Sequence, residues 1–268
     1  NNKIDLISSH GHTVFHDISR GIHHQIGNPF MIYKLTNAPV ISNFRELDVI
    51  MGGQGAPLVP YGEKELFNSY DYCINIGGIT NISSLQSKKL KGYDICPSNI
   101  ILNHYSRILN EEFDLDGTLS RKGRFNDSLF NLLNKLEYYS KKQPKSLDLI
   151  YIEKHFYPLF ENICPEDVMN TFINHIAHQI NLNIKQKSNV LMTGGGVFNK
   201  HLIEKINQYN KQNINFIVPE KKLIIFKEAI IFGFLGLLRF LNKLNIDKSV
   251  TGSKLSTSSG VLINNKFF

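Results

Sequence analysis

Two glycine turns and one acid are the residues in this chain best suited to chemistry. Tyr72 to Ile76 is a short apolar run ending in Gly77-Gly78, and Val190 to Met192 is another, ending in Thr193-Gly194-Gly195-Gly196. Glycine at a strand end leaves backbone open to a ligand, and a helix beginning after the second turn favours negative charge. Two such turns suit a split phosphate site, and a plain tight turn is the alternative at each. Asp94 stands beyond a polar, β-branched segment and just ahead of Pro97. A carboxylate beyond a strand suits proton abstraction, while a cap on the turn or helix near Pro97 accounts for it as well.

Other candidates have plainer readings beside them. His10 and His12 would share one face of a strand, with His16 nearby. No acid or cysteine is spaced to complete a metal site, so a substrate contact or surface cluster is expected and no metal ligand is assigned. Glu228 lies in a long apolar helix, where a charge pairs or faces a cleft unless Lys227 beside it marks a solvated stripe. Asp114-Leu115-Asp116-Gly117-Thr118 matches the DxDGT pattern of a phosphatase, but polar Asn110 to Glu112 precede it where a buried strand is required. A surface Asp-Gly turn is the expectation there.

The elements that must position these groups alternate in period. Ile4–Ser8 and Val40-Ile41 read as strands, and Gly52 to Pro57 as a shaped loop. Three strands span Tyr72 to Asn99. Helical spacing follows in residues 100–109, 129–136 and 165–187, with a loop marked by Pro144. A strand, a helix from Asn199, a strand at Ile214–Val218 and a buried helix from about Ile225 to Leu244 close the pattern, ahead of a serine-rich tail. Strands mixed with flanking helices indicate an α/β protein.

With 268 residues, 42% of them hydrophobic, the chain can bury a core in one or two domains. The net charge of +7 is dispersed, apart from short runs such as Lys88-Lys89, and forms no basic stripe, so nucleic acid is not an expected partner. Three widely spaced cysteines fit a reducing cytoplasm, and no stretch reads as a signal peptide or membrane span.

Read together, SHGHTVFH, QIGN, NFRELD, GGQGAPLVP, NIGGITNIS, GYDICPSN, PKS, MTGGGVFN, FKEA and SVTG occur in this order. The series closely resembles the anhydro-N-acetylmuramic acid kinase family, in particular its Bacteroidetes-like branch. The resemblance implies an actin/hexokinase/Hsp70-type fold of two ribonuclease-H-like domains with ATP in the cleft between them. It implies a first domain over 1–68, a second over 69–245 and a tail over 246–268. Enzymes of the family add water across the 1,6-anhydro bond of the sugar while phosphorylating it, in cell-wall recycling. Asp94 would be the base, with Asn75, Gly77, Gly78, Thr193, Gly194, Gly195, Gly196 and Asn199 at the nucleotide. His10, Gly11, Thr13, Arg45, Gly53, Gln54, Gly55, Ala56, Pro57, Asn99 and Glu228 would bind the amino sugar. ATP and Mg²⁺ are the implied cofactors, and a homodimer the implied assembly.

The departures are specific. Family members begin with a glycine/serine/threonine phosphate turn that this chain lacks, so the first domain is expected to be incomplete at its N-terminus. A catalytically inactive sugar-binding remnant is the alternative to an active kinase. The usual Asp-Phe-Arg is Asn43-Phe44-Arg45, Cys96 and Ser98 replace glycines, and Leu147-Asp148 follow PKS where Thr-Gly is usual.

Overall fold

The computed structural model describes residues 3–17, 22–87, 89–143 and 145–265. Lys88, Pro144 and the side chain of His16 lie outside the described residues. Contacts divide the chain into two compact units, Asn1–Asn68 with Leu85–Lys91 and Phe226–Phe268, and Ser69–Ser84 with Gly92–Ile225.

The first unit opens on β1 (Ile7–Ser8) and the antiparallel ribbon β2 (His12–Asp17) and β3 (Ile22–Ile26). Helix α1 (Pro29–Thr36) starts where Asn28 Oδ1 accepts from the N–H groups of Phe30 and Met31, and it stops at Asn37 in the left-handed conformation. Both are ordinary helix boundary devices. Strand β4 (Val40–Ser42) is buried along its length, and α2 (Glu46–Ile50) and α3 (Val59–Leu66) flank the glycine-rich loop.

The second unit begins with β5 (Tyr72–Ile76), β6 (Ile79–Ser84) and β7 (Lys91–Pro97), the three strands read from the sequence. Then come α4 (Asn99–Ile108), α5 (Asp127–Asn134), α6 (Leu149–His155), α7 (Pro165–Leu182), β8 (Asn189–Thr193), α8 (Lys200–Gln208) and β9 (Asn215–Ile217). The sheet order is β7-β6-β5-β8-β9, with β5 antiparallel to β6 and parallel to β8, and β8 parallel to β9. Three consecutive strands run outward from β5, and the chain re-enters on its other side after the helices. That is a ribonuclease-H-like α/β arrangement, and it brings both glycine turns to neighbouring strand ends. Met169, Phe172, Ile173 and Ile176 of α7 share the core with Ile74, Ile76, Val190 and Met192 of the sheet. Each such side chain contributes about 1.5–3 kcal/mol by leaving water.

Helix α9 (Lys221–Phe240), α10 (Lys248–Thr251) and β10 (Val261–Ile263) complete the chain. β10 pairs antiparallel with β4, which pairs parallel with β1, giving the sheet β1-β4-β10. Residues 226–245, expected in the second domain, and 246–268, expected as a tail, therefore pack in the first unit. The cause is apolar: Ile231, Phe232 and Leu235 join Ile41, Phe44, Leu58 and Ile246 in one cluster. Helix α9 is also not buried all round, because Phe226, Ile230, Leu237 and Phe240 are exposed. Lys227 is no part of a solvated stripe. Its Nζ lies 2.7 Å from Glu63 Oε1, and both side chains are 3% exposed. No helix among the described residues is long and apolar enough to cross a membrane.

Candidate active site

The two glycine turns of the second unit meet at the ends of β5 and β8, where Asn75 pairs in register with Thr193. Gly194 has φ +87 and ψ 163, and a Cβ there would stand 2.6 Å from Ile76 O. A Cβ on Gly196 would stand 2.2 Å from Ile76 Cγ2. These two glycines are required by close packing on β5. Gly78 and Gly195 differ, since a Cβ on either meets nothing nearer than 3.8 Å. Their backbone is open to a ligand.

The Gly77 carbonyl accepts from Asn99 N–H at 3.1 Å and from Ser98 Oγ at 2.8 Å, so this turn caps the start of α4. A peptide's N–H points opposite its carbonyl, so the N–H of Gly78 is directed away from α4. Ser98, in place of glycine, is fully buried and adds a hydrogen bond to the turn. Thr193 Oγ1 donates to Ile74 O at 3.2 Å and is buried, so it fastens strands together.

Asp94 lies within β7, not beyond it, and it does not cap α4. Its N–H donates to Lys145 O at 3.0 Å, and its Oδ2 accepts from Leu147 N–H at 2.9 Å. The 145–147 segment thus holds one carboxylate oxygen and leaves Oδ1 without a hydrogen bond among the described residues. Burial raises the Asp94 pKa above the ordinary aspartate value, and the Leu147 N–H opposes that shift. Tyr138 Oη donates to Asp94 O at 2.6 Å, and Lys145 Nζ sits 4.4 Å from the Tyr138 ring centroid. A desolvated carboxylate with one oxygen anchored has the form of a general base.

A cavity of about 300 Å³ adjoins the second glycine turn, lined by Asn99, Gly195, Gly196, Asn199 and the 113–116 segment. Asn99, expected at the sugar, is found here. The side chain of Asn199 caps α8 through Leu202 N–H at 3.0 Å and donates to Asp114 Oδ2 at 3.2 Å, so it positions this wall. Asp114 is 6% exposed and its other oxygen accepts from Leu119 N–H at 2.8 Å. No strand precedes it, which removes the geometry of a DxDGT nucleophile. The turn is exposed at Leu115 and Thr118 but anchored at Gly117, at φ +77, where a Cβ would meet His201 Cβ at 2.2 Å.

In the first unit, Arg45 gathers the residues expected at the sugar. Its Nη1 donates to Gly55 O at 2.6 Å and its Nη2 to His10 Nε2 at 2.7 Å. The accepting Nε2 requires a neutral His10 ring whose Nδ1–H donates to Gly11 O at 2.9 Å. Burial lowers the Arg45 pKa, and Glu228, exposed on α9, opposes this with its charge. Gly53, Gln54, Gly55, Ala56 and Pro57 form the neighbouring loop, with a cis peptide before Pro57. Asn43, where aspartate is usual, hydrogen-bonds Glu46.

Sequence reasoning missed the groups beneath this cluster. Gln25 Nε2 donates to His10 O at 2.9 Å and to Thr13 Oγ1 at 3.1 Å, holding the ribbon to the turn. Asp48, fully buried, accepts from Gly55 N–H at 2.8 Å and from Thr251 Oγ1 at 2.7 Å. QIGN, NFRELD and SVTG contain these residues, but pairing across the chain has no local signature. Asp48→Ala leaves the buried Gly55 N–H unpaired and Thr251 Oγ1 with only Ser253 Oγ at 3.3 Å, and should destabilise the protein by about 2 kcal/mol. Hydrogen exchange at the Gly55 amide checks the cause, since unchanged protection there would exclude Asp48 as the anchor of the loop.

Among the described residues, no group of three or more His, Cys, Asp or Glu side chains is placed to hold a metal ion. A family model described as anhydro-N-acetylmuramic acid kinase matches residues 1–265. Among similar proteins, the anhydro-N-acetylmuramic acid kinase of Pseudomonas syringae pv. syringae (strain B728a) is 35% identical over 218 residues, covering 76% of this chain and 60% of the relative. That of Aliivibrio fischeri (strain ATCC 700601 / ES114) is 31% identical over 292 residues, covering 97% of this chain and 75% of the relative. The chain thus spans 60% of the length of the first of these curated relatives. With a family match across nearly its whole length, the chain belongs to the anhydro-N-acetylmuramic acid kinase family.

Proposed function

We propose that the chain carries out the chemistry of an ATP-dependent kinase that opens 1,6-anhydro-N-acetylmuramic acid with water and yields N-acetylmuramic acid 6-phosphate, in peptidoglycan turnover. The observation that carries this reading is Asp94: a half-buried carboxylate with one oxygen tied to Leu147 and the other without a hydrogen bond among the described residues, on the sheet that carries both glycine turns. Asp94 Oδ1 takes a proton from water as the water oxygen bonds to the anomeric carbon. The electron pair of the breaking C1–O6 bond passes to O6, which accepts a phosphoryl group. O6 takes the γ-phosphoryl group of ATP as the bond to the ADP oxygen breaks, and bound Mg²⁺ would screen the phosphates.

The residues fit a nucleotide where backbone is open, at Gly78 and Gly195, with the cavity beyond Gly195 for the nucleoside. Mg²⁺ would be held chiefly through phosphate oxygens and water, as is usual for this ion. On the sugar, His10, Arg45 and the 53–57 loop supply polar contacts, with Glu228 as the nearby acid. Gly11, Thr13 and Gln25 shape that surface.

Separate calorimetric titrations with ATP and with the anhydro sugar, followed by mass analysis of the product, test the reading. Both ligands should bind, and together they should give ADP and a sugar heavier by one phosphoryl group and one water. Sugar heat without nucleotide heat would instead establish the inactive sugar-binding remnant.

A further inference from the structure

The cavity beside Gly195 has a composition that goes beyond phosphate binding. Its apolar lining comes from Leu102, Phe113, Leu115 and Phe198. Three of these are large and exposed: Phe113 at 51%, Leu115 at 63% and Phe198 at 42%. Exposed aromatic and aliphatic side chains gathered around one concavity suit a flat ring inserted between them. The wall is stiff, because Asp114 is tied to Leu119 and Asn199, and Asp116 is paired with Lys200 Nζ at 2.9 Å.

Polar groups enter the cavity from α4. Asn99 and Asn103 lie four residues apart, on one face of the helix and about 6 Å along its axis. Asn99 Nδ2 is 3.8 Å from the position of a Cβ on Gly195, so Asn99 marks the glycine-turn end. Asn103 stands one turn further on, half-buried beside Leu102, with no hydrogen bond to its carboxamide among the described residues. A carboxamide presents a donor and an acceptor side by side. Adenine presents the complementary pair at N6 and N7, a donor beside an acceptor, whereas a 6-oxopurine presents two acceptors, O6 and N7, which one carboxamide cannot match.

We propose that Asn103 is a specificity-determining residue that reads the 6-amino edge of adenine while Phe113, Leu115 and Phe198 enclose the ring. The proposal rests on nucleotide binding by the second unit. Its distinguishing consequence is base selectivity, which phosphate contacts at Gly78 and Gly195 cannot supply.

The test compares Mg·ATP with Mg·ITP, which differ at the 6-position, on the full chain and on Asn103→Ala. Alanine has the better helix propensity, so the variant should fold, and its unfolding temperature verifies this. The unaltered chain should bind ATP roughly tenfold more tightly than ITP, in line with one or two hydrogen bonds to a base edge. Asn103→Ala should lose about that factor for ATP and bind both nucleotides alike. An ATP-to-ITP ratio that is the same in both proteins would overturn the assignment while leaving nucleotide binding intact. Failure of the unaltered chain to bind either nucleotide would overturn the nucleotide reading itself, and this inference with it.

Discussion

Asp94→Asn should lower turnover by about 10²- to 10⁴-fold, the usual contribution of a positioned general base, while sugar and nucleotide binding stay close to the original. The amide oxygen can still accept from Leu147 N–H, so the strand end should keep its shape. Stability should move the other way from activity. Burial raises the folded-state pKa of Asp94, so its proton is held more tightly in the folded chain than in the unfolded one. The stability contributed by that group is present below the ordinary aspartate pKa and lost as pH rises through the raised value. At neutral pH the ionised carboxylate is therefore a cost, and the neutral asparagine variant should unfold at the same temperature or higher. The acid limb of kcat/KM should also lie above the ordinary aspartate range. A variant that turns over normally would remove Asp94 from the reaction.

Gly194→Ala should have the largest effect on stability. Its φ of +87 and ψ of 163 lie in a region open essentially to glycine alone, and the added methyl would press on the backbone of Ile76. Strain and overpacking together suggest about 3 kcal/mol or more, which lowers the unfolding temperature by roughly 10 °C in a chain of this size. Gly195→Ala is the control. Its methyl meets only Asn99 Nδ2, at 3.8 Å, so the protein should fold as before. Because Gly195 lines the cavity, the same methyl should weaken ATP binding. Thermal unfolding and nucleotide titration of the two variants separate the roles. Equal loss of stability in both would contradict the division between packing and ligand-facing glycines.

The second unit was largely legible in the sequence because its signals are local. Apolar runs ending in glycine mark β5 and β8, and the acidic first turn Pro165-Glu166-Asp167 marks the start of α7. The first unit was less so. α1 shows no clear apolar period, with Phe30, Met31 and Leu35 all exposed, and β10 is three residues long. What makes β10 a strand is its pairing with β4, more than two hundred residues earlier, and no nearby residue announces that. Asp94 was readable as a candidate because a lone acid near a turn stands out, whereas Arg45 entered only through the family resemblance carried by NFRELD. Asp48 and Gln25 were not readable, since their roles consist of hydrogen bonds to loops distant in the chain. Asp114 is a different case: the sequence set its DxDGT match aside for want of a preceding strand, but could not show that the acid ties Leu119 and Asn199 together.

The buried contact between Lys227 and Glu63 has a directional consequence. Successive residues of a helix point about 100° apart, so fastening Lys227 inward sets the bearing of Glu228. Glu228 is the sole acid in α9 and the one whose charge reaches Arg45. One residue inserted between the two would keep the fastening and swing the acid away by the same angle. The pair behaves as a key in a keyway: closed off from solvent, it decides which way the helix aims its charge.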